Sequence, residues 1–441
     1  MAELQRLLTL LNELDDQLAG CMKCGMCQAV CPLYAETGRE MDVARGKLVL
    51  VEHLSSQLLN DPQGVQKRLE RCLLCGSCAK ACPSGVPVVD IFIKARAIIG
   101  EYLGLPPIKK LILRSLLPRP RLMDGLQRLA AFGQGLFSKK ADPVLGSSCA
   151  RFNAPVIRDR HYLPLATTPL HSEIGEIDEP AAPGKSKVGF YPGCLVDKVF
   201  LDVGRDAIDV LRHHGHGIFI PGEQVCCGIP ALSSGDRQGF EQLMGRILDQ
   251  FEDADIDWLL TPCATCTATI REIWPLMAEY LPQSEQQRVH TLAQKTRDIT
   301  EFLAQGLEEA PEKPESDSDA KTGITYHDPC HLQKTLSVSR APRQLVQANQ
   351  KYDFREMGAP DRCCGMGGSF NLLHYDLSRQ VGQKKTDDVL ATGADTVATA
   401  CPACMIQLVD QLSRTGESVR VVHALQVYAE TLPQRASKEQ S

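Results

Sequence analysis

The spacing of apolar residues changes along the chain and separates a helical N-terminal part from a longer part of mixed character. Helical spacing is clearest over residues 1–20, 41–59 and 87–99, where leucine, valine and isoleucine recur every three or four positions. From about residue 186, short apolar runs alternate with helical patterns. The runs predicted to be strands are 188–191, 217–220, 257–260, 324–326 and 396–399. This alternation predicts an α/β fold class, with parallel sheets joined by crossover helices.

Residues 100–140 follow another pattern, in which basic residues are interleaved with leucines and isoleucines. The acidic residues there are Glu101 and Asp124. The basic residues are Lys109, Lys110, Arg114, Arg119, Arg121, Arg128, Lys139 and Lys140. A basic amphipathic stretch can lie on an anionic membrane surface or on a partner, and a solvated connecting helix is the alternative. Residues 150–185, rich in proline, threonine and acidic side chains, are expected to form a linker over the surface.

Composition and charge narrow the class of protein. The 441 residues suffice for about three domains, and 43% of them are hydrophobic and 23% charged, as in a globular protein. A net charge of -6 gives no argument for a nucleic-acid partner. No apolar run reaches the roughly 20 residues that cross a bilayer, and the N terminus lacks the basic start of a signal peptide. We therefore expect a cytoplasmic protein, in which clustered cysteines are more often metal ligands than disulfides.

Two of the cysteine groups, 51 residues apart in the helical part, indicate iron–sulfur clusters. Each has three cysteines within seven residues and a fourth followed by proline, the pattern of ferredoxins in which the fourth cysteine binds the other cluster. We predict one [4Fe–4S] cubane on Cys21, Cys24, Cys27 and Cys82, and another on Cys72, Cys75, Cys78 and Cys31. A pair of structural zinc sites is the alternative, and it fits poorly because such sites favour two CxxC pairs.

Ten further cysteines form two sets of five with nearly equal spacing. The sets are Cys194, Cys226, Cys227, Cys263 and Cys266, and Cys330, Cys363, Cys364, Cys401 and Cys404. Counterparts lie 136 to 138 residues apart, which indicates an internal duplication. Each group follows a predicted strand and precedes a helix, on the ligand side of a parallel sheet, so that we expect a metal cluster in each module. Cys149 lies outside every set, and a lone cysteine is usually inert and buried.

These patterns predict five segments. Residues 1–100 form an α-helical two-cluster ferredoxin domain and 101–185 a basic helical connector and linker. Residues 186–307 form module one, 308–321 an acidic linker and 322–441 module two, the two modules being α/β duplicates. Histidines near the cysteines, His327, His331 and His374, are expected to be structural rather than proton donors.

The five-cysteine modules resemble the CCG domain of heterodisulfide reductase. The resemblance implies that these ten cysteines hold one or two noncubane [4Fe–4S] clusters. The ferredoxin half contains Gly38-Arg39-Glu40, Ala44-Arg45-Gly46-Lys47 and Arg71-Cys72-Leu73. With two CCG modules after it, the chain is similar to the iron–sulfur subunit of glycolate oxidase, a group that includes subunits of D-lactate dehydrogenase and anaerobic glycerol-3-phosphate dehydrogenase. Some members of the group have lost part of the sets, whereas this chain keeps all ten cysteines.

The resemblance implies an electron-transfer subunit with no catalytic residue of its own. The chain has no dinucleotide fingerprint and no Walker loop, and hydroxy-acid oxidation needs a hydride acceptor. An FAD-containing dehydrogenase subunit would therefore oxidise glycolate or D-lactate, and the clusters would pass electrons to a quinone, an electron-transfer flavoprotein or another redox carrier, with peripheral contact with the inner face of the membrane. The alternatives are a heterodisulfide-reductase-like subunit that reduces a disulfide at its CCG clusters, and a non-enzymatic redox sensor or metal-binding scaffold.

Overall fold

The structure is a computed structural model that describes residues 2–152, 157–307 and 321–433. It confirms the α/β fold class, with a helical N-terminal domain followed by two sheets that are parallel apart from one edge strand. The predicted acidic linker over 308–321 lies outside the described residues, apart from Lys321. None of the described helices is long and apolar enough to cross a bilayer.

The ferredoxin domain is built from short helices around one long central helix. Its α-helices are α1 Ala2–Asn12, α2 Asp15–Ala19, α3 Met26–Val30, α4 Pro32–Thr37, α5 Ala44–Ser55, α6 Pro62–Glu70, α7 Ser77–Lys80 and α8 Val88–Leu103. The helix predicted over 1–20 is thus two helices, because Asp15 and Asp16 form a new first turn, where negative charge is favourable.

Helix α8 joins the ferredoxin domain to module one. It is buried along most of its length, which explains its nearly continuous apolar sequence. Its Gly100 lies so close to Gly235 that an added Cβ would stand 2.4 Å from the Gly235 carbonyl oxygen. Next to this contact, Arg96 donates hydrogen bonds to Ser233 O and to Cys72 O, each at 3.0 Å. The ferredoxin domain and module one therefore pack directly against each other along α8.

The basic stretch is helical and is followed by a small antiparallel sheet. Its elements are α9 Pro107–Leu111, a π-helical turn at Ile112–Leu116, α10 Pro120–Phe137, β1 Ser138–Asp142, β2 Ser147–Ala150 and β3 His161–Tyr162. Cys149 is half-buried on β2, which pairs with β1 and β3. The sheet itself was not predicted, because its strands are short and polar.

The expectation of a surface linker over 150–185 is wrong for its last part. Helix α11 (Leu170–Ile174) buries Leu170 in the core of module one. Strand β4 (Ile177–Glu179) then pairs antiparallel with β6 (Gly217–Ile220) at the edge of the sheet. The chain enters the fold of module one before residue 186, because these apolar side chains and backbone groups find partners there. The other predicted segment boundaries stay predictions.

Module one places strands and helices in alternation. The elements after β4 are β5 Lys187–Phe190, α12 Gly193–Lys198, α13 Leu201–His213, β6, α14 Ile229–Ser233, α15 Arg237–Phe251, β7 Trp258–Thr261, α16 Ala264–Ala268, a π-helical turn at Thr269–Ile273, α17 Trp274–Ala278, α18 Gln283–Lys295, β8 Thr296–Asp298 and α19 Ile299–Ala304. The strand order is β4-β6-β5-β7-β8, and every pairing except that of β4 is parallel.

Module two repeats this arrangement. Its elements are β9 Thr322–His327, a π-helical turn at His331–Thr335, α20 Arg340–Ala348, β10 Tyr352–Phe354, α21 Ser369–Leu373, α22 Tyr375–Leu390, β11 Thr396–Thr399, α23 Pro402–Leu412, β12 Arg420–His423 and α24 Ala424–Ala429. The strand order β10-β9-β11-β12 is fully parallel. It corresponds to β6-β5-β7-β8 of module one, so that the duplicated cysteine spacing reflects a duplicated fold.

The two modules share a core and meet at their cysteine loops. Leu345, Leu425 and Tyr428 of module two belong to the same buried apolar cluster as the sheet of module one. At the cysteine loops, Ala264 N donates a hydrogen bond to Ala400 O at 3.1 Å. The ligand sides of the two sheets therefore face a common region.

Candidate metal centres

Each four-cysteine group of the ferredoxin domain lines its own cavity. The first cavity includes Cys21, Cys24, Cys27 and Cys82, and the second includes Cys31, Cys72, Cys75 and Cys78. The fourth cysteine of each group comes from the opposite run, because α3 and α7 pack against each other. The structure thus brings together the residues that the spacing grouped. Their role as cluster ligands stays a prediction.

The two cysteine runs share an unusual backbone turn. Lys23 and Gly25 in the first run, and Leu74 and Gly76 in the second, all have positive φ, a conformation that side chains rarely adopt without compensation. At these points the backbone bends between the first and third cysteines. Burial raises the pKa of Cys31 to about 11, so that a thiolate at this position needs a metal cation to stabilise it. Both features fit cysteines arranged around a compact metal cluster.

Each ferredoxin site has a basic residue beside it. Arg45 donates a hydrogen bond to Lys23 O at 3.1 Å and pairs with Glu40 at 2.7 Å. Lys47 is buried next to the second site and donates to Asp42 O. Burial lowers the pKa of Lys47, although the nearby Cys72 and Cys31 oppose this change. Positive charges in these positions would offset the negative charge of thiolate-bound iron.

The five cysteines of module one form a continuous row of thiol contacts. The row runs in the order Cys194, Cys226, Cys227, Cys266, Cys263, and all except Cys194 are buried. Gly228 follows the adjacent pair with a φ of 93°, and a Cβ there would stand 2.6 Å from the ring of Phe240. Only glycine therefore allows the chain to turn between the cysteine pair and α14.

Module two has the same row, in the order Cys330, Cys363, Cys364, Cys404, Cys401. The Sγ atoms of Cys364 and Cys404 are 3.4 Å apart. His327 is buried within 4.8 Å of both thiols, and burial lowers the pKa of His327 to about 3, so that its imidazole is neutral. Gly365 corresponds to Gly228, with a φ of 92°.

These sets fit a thiolate-bound cluster better than they fit disulfides. All nineteen cysteines are free, and five soft sulfur donors meet in each module, four of them buried and one, Cys194 or Cys330, half-buried. Sulfur-rich sites of this kind select iron–sulfur clusters, zinc or copper(I). Five thiols exceed the four that a structural zinc ion or an ordinary cubane takes.

The four sets form one connected series. The Cys75 thiol of the ferredoxin domain contacts the Cys363 thiol of module two, and the Cys401 thiol contacts the Cys263 thiol of module one. Cys78 of the second ferredoxin site also lines the cavity of the first. The sets therefore adjoin in the order first ferredoxin site, second ferredoxin site, module two, module one. This order is not evident from the sequence, in which module one precedes module two.

Two polar residues that were not predicted, Lys334 and Thr265, lie in the gaps between the sets. Lys334 is almost fully buried and donates hydrogen bonds to Ser77 Oγ at 2.7 Å and to Asp361 O at 2.9 Å. Thr265 Oγ1 lies 3.0 Å from His331 Nδ1 and 3.5 Å from the Cys401 sulfur. Thr265 could have been noticed, since it stands inside a CxxC pair. Lys334 carries no sequence signal. His374, the third histidine considered, packs against the ring of Phe370.

A larger cavity opens between the ferredoxin domain and module two. Its volume is about 390 Å³, and it reaches Cys31 on one side and Cys363 on the other. The basic residues in its wall are Lys80, Lys334, Arg362 and Lys384, and the acidic ones are Asp361 and Glu36, which pairs with Lys384 at 2.6 Å. Alanine, valine and proline side chains line most of the remaining surface. A small molecule in this cavity would lie beside two of the four sets.

A helical domain with two four-cysteine sites, joined to paired sheets with five-thiol sites, defines a multicluster iron–sulfur protein. A protein-family model described as a 4Fe-4S dicluster domain matches residues 17–86. A second model, described as the cysteine-rich CCG domain, matches residues 188–271 and 324–409. Both agree with the domains expected from the resemblance.

Similar proteins extend this likeness over nearly the whole chain. The probable glycolate oxidase iron-sulfur subunit of Bacillus subtilis is 28% identical over 446 residues, 96% of each chain. Lactate utilization protein A of Oceanobacillus iheyensis is 30% identical over 241 residues, 55% of this chain and 96% of that protein. One subunit of the fumarate reductase (CoM/CoB) of Methanothermobacter marburgensis is 28% identical over 421 residues, 93% of this chain and 72% of that protein. The chain belongs to the family of CCG-domain iron–sulfur subunits that includes the first two proteins.

Proposed function

We propose that this chain is the iron–sulfur electron-transfer subunit of a flavin-linked 2-hydroxy-acid dehydrogenase that acts on glycolate or D-lactate. The names of the relatives from Bacillus subtilis and Oceanobacillus iheyensis support this substrate class. The observation that carries the proposal is the unbroken series of four cysteine sets. Cys78 lines both ferredoxin cavities, and the Cys75–Cys363 and Cys263–Cys401 contacts link the second ferredoxin site, module two and module one.

The residues fit two [4Fe–4S] cubanes in the ferredoxin domain and noncubane [4Fe–4S] clusters in one or both CCG modules. Such clusters, when bound, supply reversible one-electron storage over a wide range of potentials. The chain provides the eighteen thiols, buries four of the five in each module set and holds neighbouring sets in contact. Buried Lys47 and Lys334 supply positive charge beside the sites.

The FAD belongs, in this proposal, to a partner subunit, and the electron acceptor is a quinone, an electron-transfer flavoprotein or another carrier. The first ferredoxin site is suited to contact with a redox partner, because Cys24 is exposed beside the exposed side chains of Met22 and Met26. Methionines adapt readily to a partner surface. A cytoplasmic location, with contact with the inner face of the membrane, would suit a quinone acceptor.

The test is anaerobic purification with the native partners, followed by iron counting and EPR. About sixteen irons per chain are expected if all four sets are filled. Addition of glycolate or D-lactate to the complex should then reduce the clusters, whereas the isolated chain should not respond. Colourless or zinc-containing anaerobic material would contradict the cluster assignment. Full clusters that neither hydroxy acid reduces would contradict the substrate class alone.

A second candidate is disulfide reduction at a CCG site. The cavity that reaches Cys363 favours it, since its wall is largely apolar and its four basic residues outnumber its two carboxylates, Glu36 and Asp361, as suits a small anionic disulfide. Turnover of a disulfide by the isolated, chemically reduced chain would support this candidate. Turnover that depends on a flavoprotein and a hydroxy acid would support the first.

A further inference from the structure

Helix α10 is attached to the protein through its polar side. Its buried positions include Asp124 and Gln127. Asp124 accepts a hydrogen bond from Lys198 at 2.6 Å and lies 3.0 Å from His171 Nε2. Gln127 donates to Ala166 O at 2.8 Å, and Gln134 both donates to and accepts from the backbone of Leu165. An amphipathic helix of a globular protein normally buries its apolar face, so that this orientation is reversed.

The opposite side of α10 exposes a row of large apolar side chains. The row consists of Leu122, Leu126, Leu129, Phe132 and Leu136, at intervals of three or four residues. Leu129 is 69% exposed and Phe132 is 88% exposed. Of the nineteen exposed large apolar residues of the described chain, twelve lie within residues 108–157. Single exposed apolar residues scattered over a surface are ordinary, whereas their concentration on one segment indicates a binding surface.

The exposed charges of the segment that carries this row are positive. Between Glu101 and Asp142 the chain has one acidic residue, Asp124, and that carboxylate is buried. The exposed basic residues of the same interval are Lys110, Arg119, Arg121, Arg128, Lys139 and Lys140. Arg121 pairs with Glu223 of module one. The remainder give the segment a cationic surface beside its apolar row.

We propose that the outer face of α10 binds the surface of an anionic phospholipid bilayer. Leucine and phenylalanine on one face with flanking lysine and arginine are the features of helices that lie in the membrane interface. Anionic headgroups would attract the basic residues, and the apolar row would enter the headgroup boundary. A second copy of the chain is a poor occupant, since a two-fold contact would bring the same cations together. The contact would hold the clusters near a quinone acceptor, and in that respect it deepens the proposed function.

Flotation of the full-length, cluster-loaded chain with lipid vesicles tests the inference. We expect binding to vesicles of phosphatidylcholine and phosphatidylglycerol, little binding to phosphatidylcholine alone, and weaker binding in high salt. The double variant Leu129→Glu/Phe132→Glu should lower the vesicle partition coefficient by roughly tenfold or more, because two apolar side chains no longer leave water. The control Leu58→Glu alters a residue that is 76% exposed in the ferredoxin domain and should bind like the unaltered chain, with equal iron content in all three proteins.

Two results would overturn the inference. The first is failure of the unaltered chain to bind anionic vesicles, and the second is unchanged binding by the double variant. If the double variant also loses a partner protein or a dimer, the face is a protein interface. A chain that binds vesicles through α10 but receives no electrons from a hydroxy acid would contradict the proposed function and leave this inference intact.

Discussion

Lys334 of module two donates a hydrogen bond to Ser77 Oγ of the ferredoxin domain at 2.7 Å, across 257 residues of sequence. Its ammonium group is thereby held where the Cys75 and Cys363 thiols meet, with its side chain only 6% exposed. A buried cation favours the reduced, more negative state of any redox group beside it. The electrostatic properties of this junction therefore depend on Lys334 and on the Asp361 carboxylate, which lies 3.6 Å from its ammonium group.

We expect Lys334→Gln to lower the reduction potential of the neighbouring clusters. Loss of one charge several ångströms away corresponds to a shift on the order of 50 mV, which a potentiometric EPR titration would measure. Lys351→Gln, which removes an exposed lysine of the same module, should leave the potentials unchanged. Equal potentials in Lys334→Gln and the unaltered chain would show that Lys334 has no influence on the clusters.

Replacement of one central thiol in a CCG set should remove that set's cluster and spare the others. Cys364 contacts both Cys363 and Cys404, so that Cys364→Ser interrupts the row in module two. The iron content should fall from about sixteen to about twelve per chain, with the ferredoxin signals retained. The matched control is Cys149→Ser, which alters a half-buried cysteine that lies outside the four sets. Identical iron loss in both variants would argue against cluster binding by the five-thiol set.

The contact between Gly100 and Gly235 should tolerate no side chain. In Gly100→Ala the new Cβ would stand 2.4 Å from a backbone carbonyl oxygen, and overpacking of this kind costs about 1–3 kcal/mol. The urea concentration at the midpoint of unfolding should fall, because the interface between α8 and module one is destabilised. Gly245→Ala in α15 adds the same methyl group where no atom lies within 4 Å, and helix propensity there favours alanine. A midpoint for Gly100→Ala equal to that of Gly245→Ala would refute this packing argument.

Sequence reasoning was most reliable where the chemistry restricts the chain most. Cysteine spacing grouped the sets that the structure brings together, because cysteines that meet at one site keep fixed positions, after strands in the modules and in compact turns before α3 and α7 in the ferredoxin domain. Strands β6 and β11 were predicted at the observed bounds, since their apolar runs are buried. Strands β4, β8, β10 and β12 were missed because they are short or mixed in polarity and are determined by pairing.

Contacts that join distant segments could not be predicted. Lys334 meets Ser77, and Asp124 meets His171, through the packing of separate elements. Neither pair has a local pattern in the sequence. The reversed orientation of α10 was missed for the same reason. The sequence shows that the helix has two faces, and only the buried partners of Asp124 and Gln127 reveal which one is turned inward.

The attachment of α10 should weaken as the pH rises. His171 lies 2.8 Å from Asp197 Oδ1 through Nδ1 and 3.0 Å from Asp124 Oδ2 through Nε2, with Lys198 bound to both carboxylates. Burial disfavours the charged imidazole, but Asp197 and Asp124 outweigh burial and the repulsion of Lys198, so that the pKa of His171 is raised. A raised folded-state pKa means that the stabilisation is fully present below about pH 6.5. It is lost as the pH rises through the folded-state value.

Hydrogen exchange of the α10 amides measures this attachment directly. Protection, after correction for the intrinsic pH dependence of exchange, should be greater at pH 6 than at pH 8.5 in the unaltered chain. In His171→Gln, which keeps a side chain able to hydrogen-bond but cannot be protonated, the difference between the two pH values should disappear. His53→Gln removes a histidine from α5 in the ferredoxin domain and should retain the difference. If α10 is protected equally at both pH values in the unaltered chain, the imidazolium does not hold the helix in place, and Lys198 is then the cation that binds Asp124 and Asp197 throughout the range.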